Sequence, residues 1–232
     1  MKRLIEQTED GSATLYVPQL DEHYHSVKGA RTESQHIFIE MGLRALTTPA
    51  PRVLEVGFGT GLNALLTLEE AERSQRHIHY IGLELYPLQW EEIEPLHYSD
   101  NPLLRILHEV AWGEEVEITP YFTLHKVQAD VTRLQVSSCL SPCSCDIFQP
   151  SSINLVYFDA FAPDKQPEMW SEEVLYSLYR LLQPEGILTT YCAKGVVRRL
   201  LQSIGFTVER LPGPPGGKRE ILRGRKLLSP NV

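Results

Sequence analysis

Gly57, Gly59 and Gly61 stand at alternate positions between an apolar run that carries one acid, Val53-Leu-Glu-Val56, and the helical pattern of Leu62-Asn-Ala-Leu-Leu-Thr-Leu68. Residues without a Cβ let the backbone turn sharply and press against a ligand. This strand–loop–helix unit is therefore a candidate nucleotide-cofactor site. The dinucleotide fingerprint needs its third glycine three residues after the second, where helix packs on strand, and Leu62 holds that position. Glu55 adds a carboxylate expected at the loop mouth, where it repels a pyrophosphate. Cationic, phosphate-free S-adenosylmethionine suits the loop better, with Glu55, Gly57, Phe58, Gly59, Gly61 and Asn63 around it. The competing reading is a tight turn with no ligand.

Two more acids follow strand-like runs. Glu84 closes His77-Ile-His-Tyr-Ile-Gly-Leu, where a carboxylate accepts bonds from both ribose hydroxyls. Asp130 follows Phe122-Thr-Leu-His-Lys-Val127 and is expected beside the adenine amino group. Asp159 ends a fourth run, Ile153-Asn-Leu-Val-Tyr-Phe158. In a doubly wound sheet ligands bind outside the carboxyl ends of the strands, near the switch point. That rule puts Asp159 next to the glycine loop, as a cofactor-side acid and as the catalytic candidate. Phe161 offers a flat apolar surface, and Pro163 and Pro167 stiffen the segment. An acid and a ring beside a methyl donor suit an amine nucleophile, since the carboxylate orients an N–H and the ring packs on a base or cation. A helix cap is the other reading of Asp159.

The elements that must position these residues follow from periodicity. Strands are predicted at 53–56, 78–84, 122–127, 153–158 and 187–192, with a closing pair near 206–210 and 219–225. Helices are predicted at 34–46, capped by Thr32 or Ser34, and at 61–73, 87–97, 171–182 and 195–204. Strands alternating with helices give an α/β fold with a doubly wound, mainly parallel sheet. Residues 1–46 are expected to form a small β-rich extension and helix, with a turn at Asp10-Gly11, and 47–232 a single globular unit.

The chain has 232 residues, 42% hydrophobic and 22% charged, ordinary for a globular protein. No apolar run reaches the roughly 20 residues that span a bilayer, and Met1-Lys-Arg-Leu-Ile-Glu lacks a signal core, so a cytoplasmic location is expected. Cys139, Cys143 and Cys145 match no paired zinc spacing, and free thiols in a surface insertion are expected. His23/His25 and His77/His79 are read as strand-surface histidines, with no metal. Net charge is −8, yet residues 190–232 carry nine Lys/Arg against two Glu, a surplus of +7 that leaves −15 on the rest. Such asymmetry fits a phosphate-tracking face or a solvated basic tail.

Four segments resemble the methyltransferase domain of the bifunctional tRNA 5-methylaminomethyl-2-thiouridine biosynthesis proteins. They are Tyr24-His-Ser-Val-Lys-Gly-Ala-Arg-Thr-Glu-Ser-Gln-His-Ile-Phe38, Glu55–Asn63, Phe158-Asp-Ala-Phe-Ala-Pro-Asp-Lys-Gln-Pro-Glu-Met-Trp170 and Gly195-Val-Val-Arg-Arg-Leu-Leu-Gln-Ser-Ile-Gly-Phe206. Gly216-Gly-Lys-Arg-Glu220 also fits. The glycine loop is generic to such methyltransferases, while the Asp-Ala-Phe-Ala-Pro segment is far more specific. The resemblance implies S-adenosylmethionine-dependent methylation of the aminomethyl group on the wobble uridine, reached in the anticodon loop of tRNA. It implies Asp159 as the residue that orients the amine, in a pocket shaped by Phe161, Pro163 and Lys165. Lys194, Arg198, Arg199, Lys218 and Arg219 would track RNA phosphates. No second glycine fingerprint is present, so a stand-alone form is expected, its amine made by a separate oxidase or other aminomethyl-forming enzyme. The Cys-rich insertion at 137–149 departs from the family pattern. Other readings are methyl or aminopropyl transfer to a small amine, and a non-catalytic RNA- or cofactor-binding module.

Overall fold

Strand alternation divides the apolar residues between two faces of one sheet, and each face recruits its own helices. The computed structural model describes residues 3–8, 13–24, 29–97, 99–136 and 147–228. The Cys139–Cys145 cluster, His25 and the Asp10-Gly11 turn lie outside them. Three short strands open the chain, β1 (Leu4–Gln7), β2 (Ala13–Val17) and β3 (Glu22–His23), paired antiparallel. The main strands are β4 (Arg52–Val56), β5 (Ile78–Glu84), β6 (Glu115–Thr119), β7 (Phe122–Gln128), β8 (Ile153–Phe158), β9 (Leu182–Thr190), β10 (Phe206–Pro212) and β11 (Glu220–Lys226). They form one sheet in the order β10-β11-β9-β8-β4-β5-β7-β6. The five central strands β9, β8, β4, β5 and β7 run parallel, and β11, β10 and β6 are antiparallel at the flanks. The switch point falls between β4 and β8, as the pattern predicts.

The helices are α1 (Ala30–Ser34), α2 (Leu62–Ser74), α3 (Trp90–Ile93), α4 (Leu103–Glu109), α5 (Glu172–Leu181) and α6 (Gly195–Ile204). Val53, Tyr80, Leu124 and Tyr157 pack with Leu65, Leu68 and Ala71 of α2 on one face. Leu54, Ile81, Val156 and Leu188 pack with Leu178 of α5 and Leu201 of α6 on the other. Ser171 caps α5 by accepting from the Val174 N–H at 3.3 Å.

Three expectations change. The helix predicted at 34–46 begins at Ala30, where neither Thr32 nor Ser34 acts as a cap, passes into a π-helical stretch at Gln35–Glu40 and ends in a 3₁₀ turn, Leu43–Ala45. The Met41 N–H bonds the His36 carbonyl five residues back, at 3.0 Å. The helix predicted at 87–97 shrinks to α3 and a 3₁₀ turn that starts at Glu94, with Pro95 in its first turn. Helix α4 and strand β6 were not predicted.

Candidate functional site

Strand β4 and strand β8 are hydrogen-bonded neighbours, so the loops leaving their carboxyl ends must meet. The Asp159 N–H bonds the Val56 carbonyl at 3.2 Å, and Gly57 turns away with φ 92°. A Cβ on Gly57 would lie 2.9 Å from the Asp159 carbonyl oxygen. Only glycine combines that positive φ with that approach. The two loops open on a cavity of about 470 Å³. Gly57, Phe58, Gly59, Asn63, Glu84, Asp130, Asp159, Phe161 and Lys218 all line it.

The glycine loop keeps its donors for the protein. The amides of Gly57 and Phe58 both donate to the Leu83 carbonyl, at 3.0 and 2.9 Å, and that of Gly61 donates to Phe58. The Gly59 amide donates to Glu84 Oε2 at 3.0 Å, while Glu84 Oε1 accepts from the Tyr86 amide at 2.9 Å. These amides are thus engaged by the protein, where a phosphate-cradling loop would present them to the ligand. Leu83, Leu85, Ala129 and Val131 supply apolar wall between Glu84 and Asp130. A backbone cradle, a fixed carboxylate, an apolar slot and no phosphate site fit the sulfonium, ribose and adenine of S-adenosylmethionine. Asp130 also caps a 3₁₀ turn, its Oδ1 accepting from the Thr132 amide and hydroxyl at 2.9 and 2.6 Å; the Thr132 hydroxyl bond chiefly holds this carboxyl below its usual range.

Glu55 does not face the loop mouth. It shares a face of β4 with Val53, since side chains two apart lie on one side of a strand, and so points under α2. The residue is 1% exposed and absent from the cavity wall. Burial pushes its carboxyl well above the usual range, against the pull of Asn63 and Tyr80. Asn63, from the first turn of α2, spans two acids through one nitrogen. Its Nδ2 donates to Glu55 Oε1 at 2.8 Å and to Asp159 Oδ2 at 2.9 Å. Glu55 Oε2 and the Tyr80 hydroxyl are both buried without a hydrogen-bond partner, and burial favours the protonated form of Glu55. Glu55→Gln is therefore expected to leave the melting temperature and cofactor Kd nearly unchanged, within about threefold. A loss of tenfold or more in calorimetric titration would restore Glu55 to the ligand site.

Asp159 is partly buried, and its carboxyl is pushed up to about 7. Desolvation is the main cause and Glu33 adds to it, while the Asn63 amide and the Lys218 ammonium oppose it. A carboxyl poised there exchanges protons at neutral pH. The segment that follows is pinned, because Trp170 Nε1 donates to the Phe161 carbonyl at 2.8 Å. Phe161 meets Tyr24 edge to face, 5.2 Å between ring centres. Tyr24 covers Gly59, whose added Cβ would sit 3.1 Å from Tyr24 Cδ1.

The small N-terminal sheet roofs the cavity through Leu20, Glu22, His23 and Tyr24. It is tied at both sides, by Arg3 to Glu92 at 2.7 Å and by Lys165 to Asp21 at 3.2 Å. Beneath the glycine loop, His108 Nε2 bonds the Thr60 carbonyl at 3.0 Å, and Lys126 Nζ donates to the His108 carbonyl at 2.5 Å and faces the Trp112 ring. Burial lowers His108 to about 4 and Lys126 to about 8.

Other expected residues lie elsewhere. Gly61, Pro163, Lys165, Lys194, Arg198, Arg199 and Arg219 are not part of the cavity wall. Lys194 pairs with Asp164, Lys218 with Glu33, Arg210 with Glu220, and Arg223 and Arg225 with Glu209. Lys226 donates to the Tyr179 and Leu182 carbonyls. Five of the nine C-terminal cations are thus in ion pairs within the chain, two of them with acids from outside the segment, Asp164 and Glu33. Among the described residues Arg198, Arg199 and Arg219 form no ion pair. Tyr24, Glu33 and Tyr191 line the cavity without having been singled out. The first two sit in the Tyr24–Phe38 segment, and Tyr191 directly follows β9. No metal-holding group of three ligand residues occurs among the described residues, and no helix there is long and apolar enough to cross a membrane.

Comparison with known proteins adds a family. Residues 106–227 match the model of an S-adenosyl-L-methionine-dependent methyltransferase family. The chain is 32% identical over 219 residues to the tRNA 5-methylaminomethyl-2-thiouridine biosynthesis bifunctional protein MnmC of Magnetococcus marinus, covering 91% of this chain and 32% of that protein. The protein of the same name from Leptospira interrogans is 32% identical over 218 residues, covering 89% of this chain and 33% of its own length. The chain therefore spans about a third of these relatives. The crystal structure of MNMC2 from Aquifex aeolicus superposes with a TM-score of 0.74 at 23% identity, over 99% of this chain and 71% of that one. A probable spermidine synthase from Corynebacterium glutamicum shares the fold at a TM-score of 0.55 and 14% identity, over 96% of this chain and 76% of that one.

Proposed function

Because the chain belongs to the S-adenosyl-L-methionine-dependent methyltransferases, we propose that it methylates the aminomethyl nitrogen on the wobble uridine of tRNA. The observation that carries this reading is Asp159, held by Asn63 beside the glycine loop with a carboxyl that titrates near neutrality. The function carried in the relatives' name points the same way. S-adenosylmethionine supplies an activated methyl group on sulfur.

The chain's own residues handle the amine. A primary alkylamine is protonated at neutral pH, its reference pKa being ~10.4, and an ammonium has no lone pair to attack with. Ionised Asp159 accepts one N–H proton at its carboxylate, and burial of the amine among Phe161, Tyr24 and Tyr191 favours the neutral form. Asn63 fixes the carboxylate so that the nitrogen is aligned rather than tumbling, and alignment supplies much of the rate. Glu84 and Asp130 line the cofactor end, and Phe161 lies on the substrate side.

The direct test incubates the protein with methyl-labelled S-adenosylmethionine and tRNA from cells unable to add this methyl, then digests the tRNA to nucleosides. Label in 5-methylaminomethyl-2-thiouridine is the expected result. Label confined to small amines, or cofactor binding with no transfer, overturns the reading. Bases of a single-stranded anticodon loop can be splayed out into such a pocket. With most cations paired internally, the phosphate contacts fall to Arg198, Arg199 and Arg219. The log–log salt slope of tRNA binding should then be no steeper than about 3, at roughly 0.7–0.9 per phosphate contact. A slope near 6 would mean that the internal ion pairs open on binding.

A further inference from the structure

The substrate end of the cavity already holds an ammonium group, and it belongs to the protein. Lys218 lies in the connection between β10 and β11, closed by the Gly213 amide on the Arg219 carbonyl at 3.0 Å. Its Nζ is 2.9 Å from Glu33 Oε1 and 4.3 Å from the centre of the Tyr191 ring. The ring is clamped, since Tyr191 Oη donates to the Ala160 carbonyl at 2.9 Å and its edge meets Trp170. Glu33 comes from α1 and Tyr191 from the end of β9, so separate elements build the seat. Glu33, Tyr191, Lys218 and Asp159 all line the same cavity.

A carboxylate and an aromatic face closing on one primary ammonium form a general receptor for alkylammonium ions. The substrate proposed above arrives as such an ion. We infer that Glu33 and Tyr191 are the seat for the substrate's ammonium group, and that Lys218 fills it in the free enzyme and leaves when substrate enters. The inference rests on the aminomethyl reading. Once seated, the substrate nitrogen stands in the Asp159 neighbourhood, where R–NH3⁺ and the carboxylate become R–NH2 and the carboxylic acid. One N–H bond breaks, one O–H bond forms, and the lone pair stays on nitrogen. The Lys218 side chain is nearly half exposed, so its contacts hold it only weakly, by a factor of about three to ten. A substrate that must displace it binds weaker by that factor.

The test follows Lys218 itself. With ε-¹³C-lysine in the protein, the Lys218 methylene lies over the Tyr191 ring and should resonate upfield. Lys218→Arg assigns the signal and Tyr191→Leu abolishes the shift. Titrating the complex with S-adenosylhomocysteine with 5-aminomethyluridine, or with ethylammonium, should move it saturably to the free-lysine position. Uridine and sodium chloride at equal ionic strength should not. In turnover on 5-aminomethyluridine, Lys218→Met should lower KM about three- to tenfold, whereas Glu33→Gln should raise it at least tenfold. A Lys218 signal that stays upfield under saturating amine overturns the seat and makes Lys218 a fixed pin. Should ethylammonium displace Lys218 while tRNA remains unmethylated, the seat stands and the wobble-uridine reading falls. Should tRNA be methylated while Lys218 stays on the ring, the wobble-uridine reading stands and the seat falls.

Discussion

Asp159→Asn is expected to lower kcat by roughly 10²–10⁴-fold, the usual contribution of a positioned acid–base group, while cofactor affinity holds within a few fold. The replacement keeps an oxygen for the Asn63 amide, so the loop geometry survives. Two pH readouts separate proton handling from damage. With the Asp159 carboxyl near 7, wild-type kcat/KM should rise with pH through about 7 and then level, and this limb should vanish in the variant. Stability runs the other way. A carboxyl raised above its unfolded value of ~3.9 binds its proton in the folded state first, so it costs stability progressively as pH rises from about 4 to about 7. Asp159→Asn should therefore melt no lower than wild type at pH 8. A variant that melts lower there, or that keeps wild-type turnover, removes Asp159 from the proton step.

Gly57→Ala is expected to do the reverse, harming fold and cofactor site together. Its φ of 92° is strained for any L side chain, at about 1–2 kcal/mol. The added Cβ would press on the Asp159 carbonyl oxygen at 2.9 Å. That contact is backbone on both sides, so neither partner can swing away, and overpacking of this kind costs about 1–3 kcal/mol. Denaturant titration should show a loss of about 2–5 kcal/mol, with cofactor Kd raised at least tenfold because the β4 and β8 loops part. An unchanged Kd would mean that the loop is not the cofactor cradle.

Much of this site was legible because strand-end position is a local property. An apolar run, an acid and a turn suffice to place Glu84, Asp130 and Asp159 at one edge of a parallel sheet, and the spacing of Gly57, Gly59 and Gly61 told against a pyrophosphate. Glu55 was misplaced although the signal was present. Val53 and Glu55 are two apart, and alternation sends both under α2, where burial and Asn63 decide the state of the acid. Helix α4 and strand β6 escaped because Leu103–Glu109 is only two turns long and Glu115–Thr119 is a flanking strand with little buried surface. The pairing of the C-terminal cations was beyond reach for a different reason. Lys218 and Glu33 are 185 residues apart, and net charge along a chain says nothing about which charges the fold brings together.

The closed circuit of amides in the glycine loop has a bearing on which nucleotides can compete for the site. Adenosine triphosphate presents the same nucleoside as S-adenosylmethionine. A pocket that recognised only adenine and ribose would be inhibited by it. With the Gly57, Phe58 and Gly59 amides turned to Leu83 and Glu84, a triphosphate would meet the loop without those donors and with acids on both sides. Discrimination then needs no gate and no steric block, because the backbone itself withholds what a polyphosphate requires.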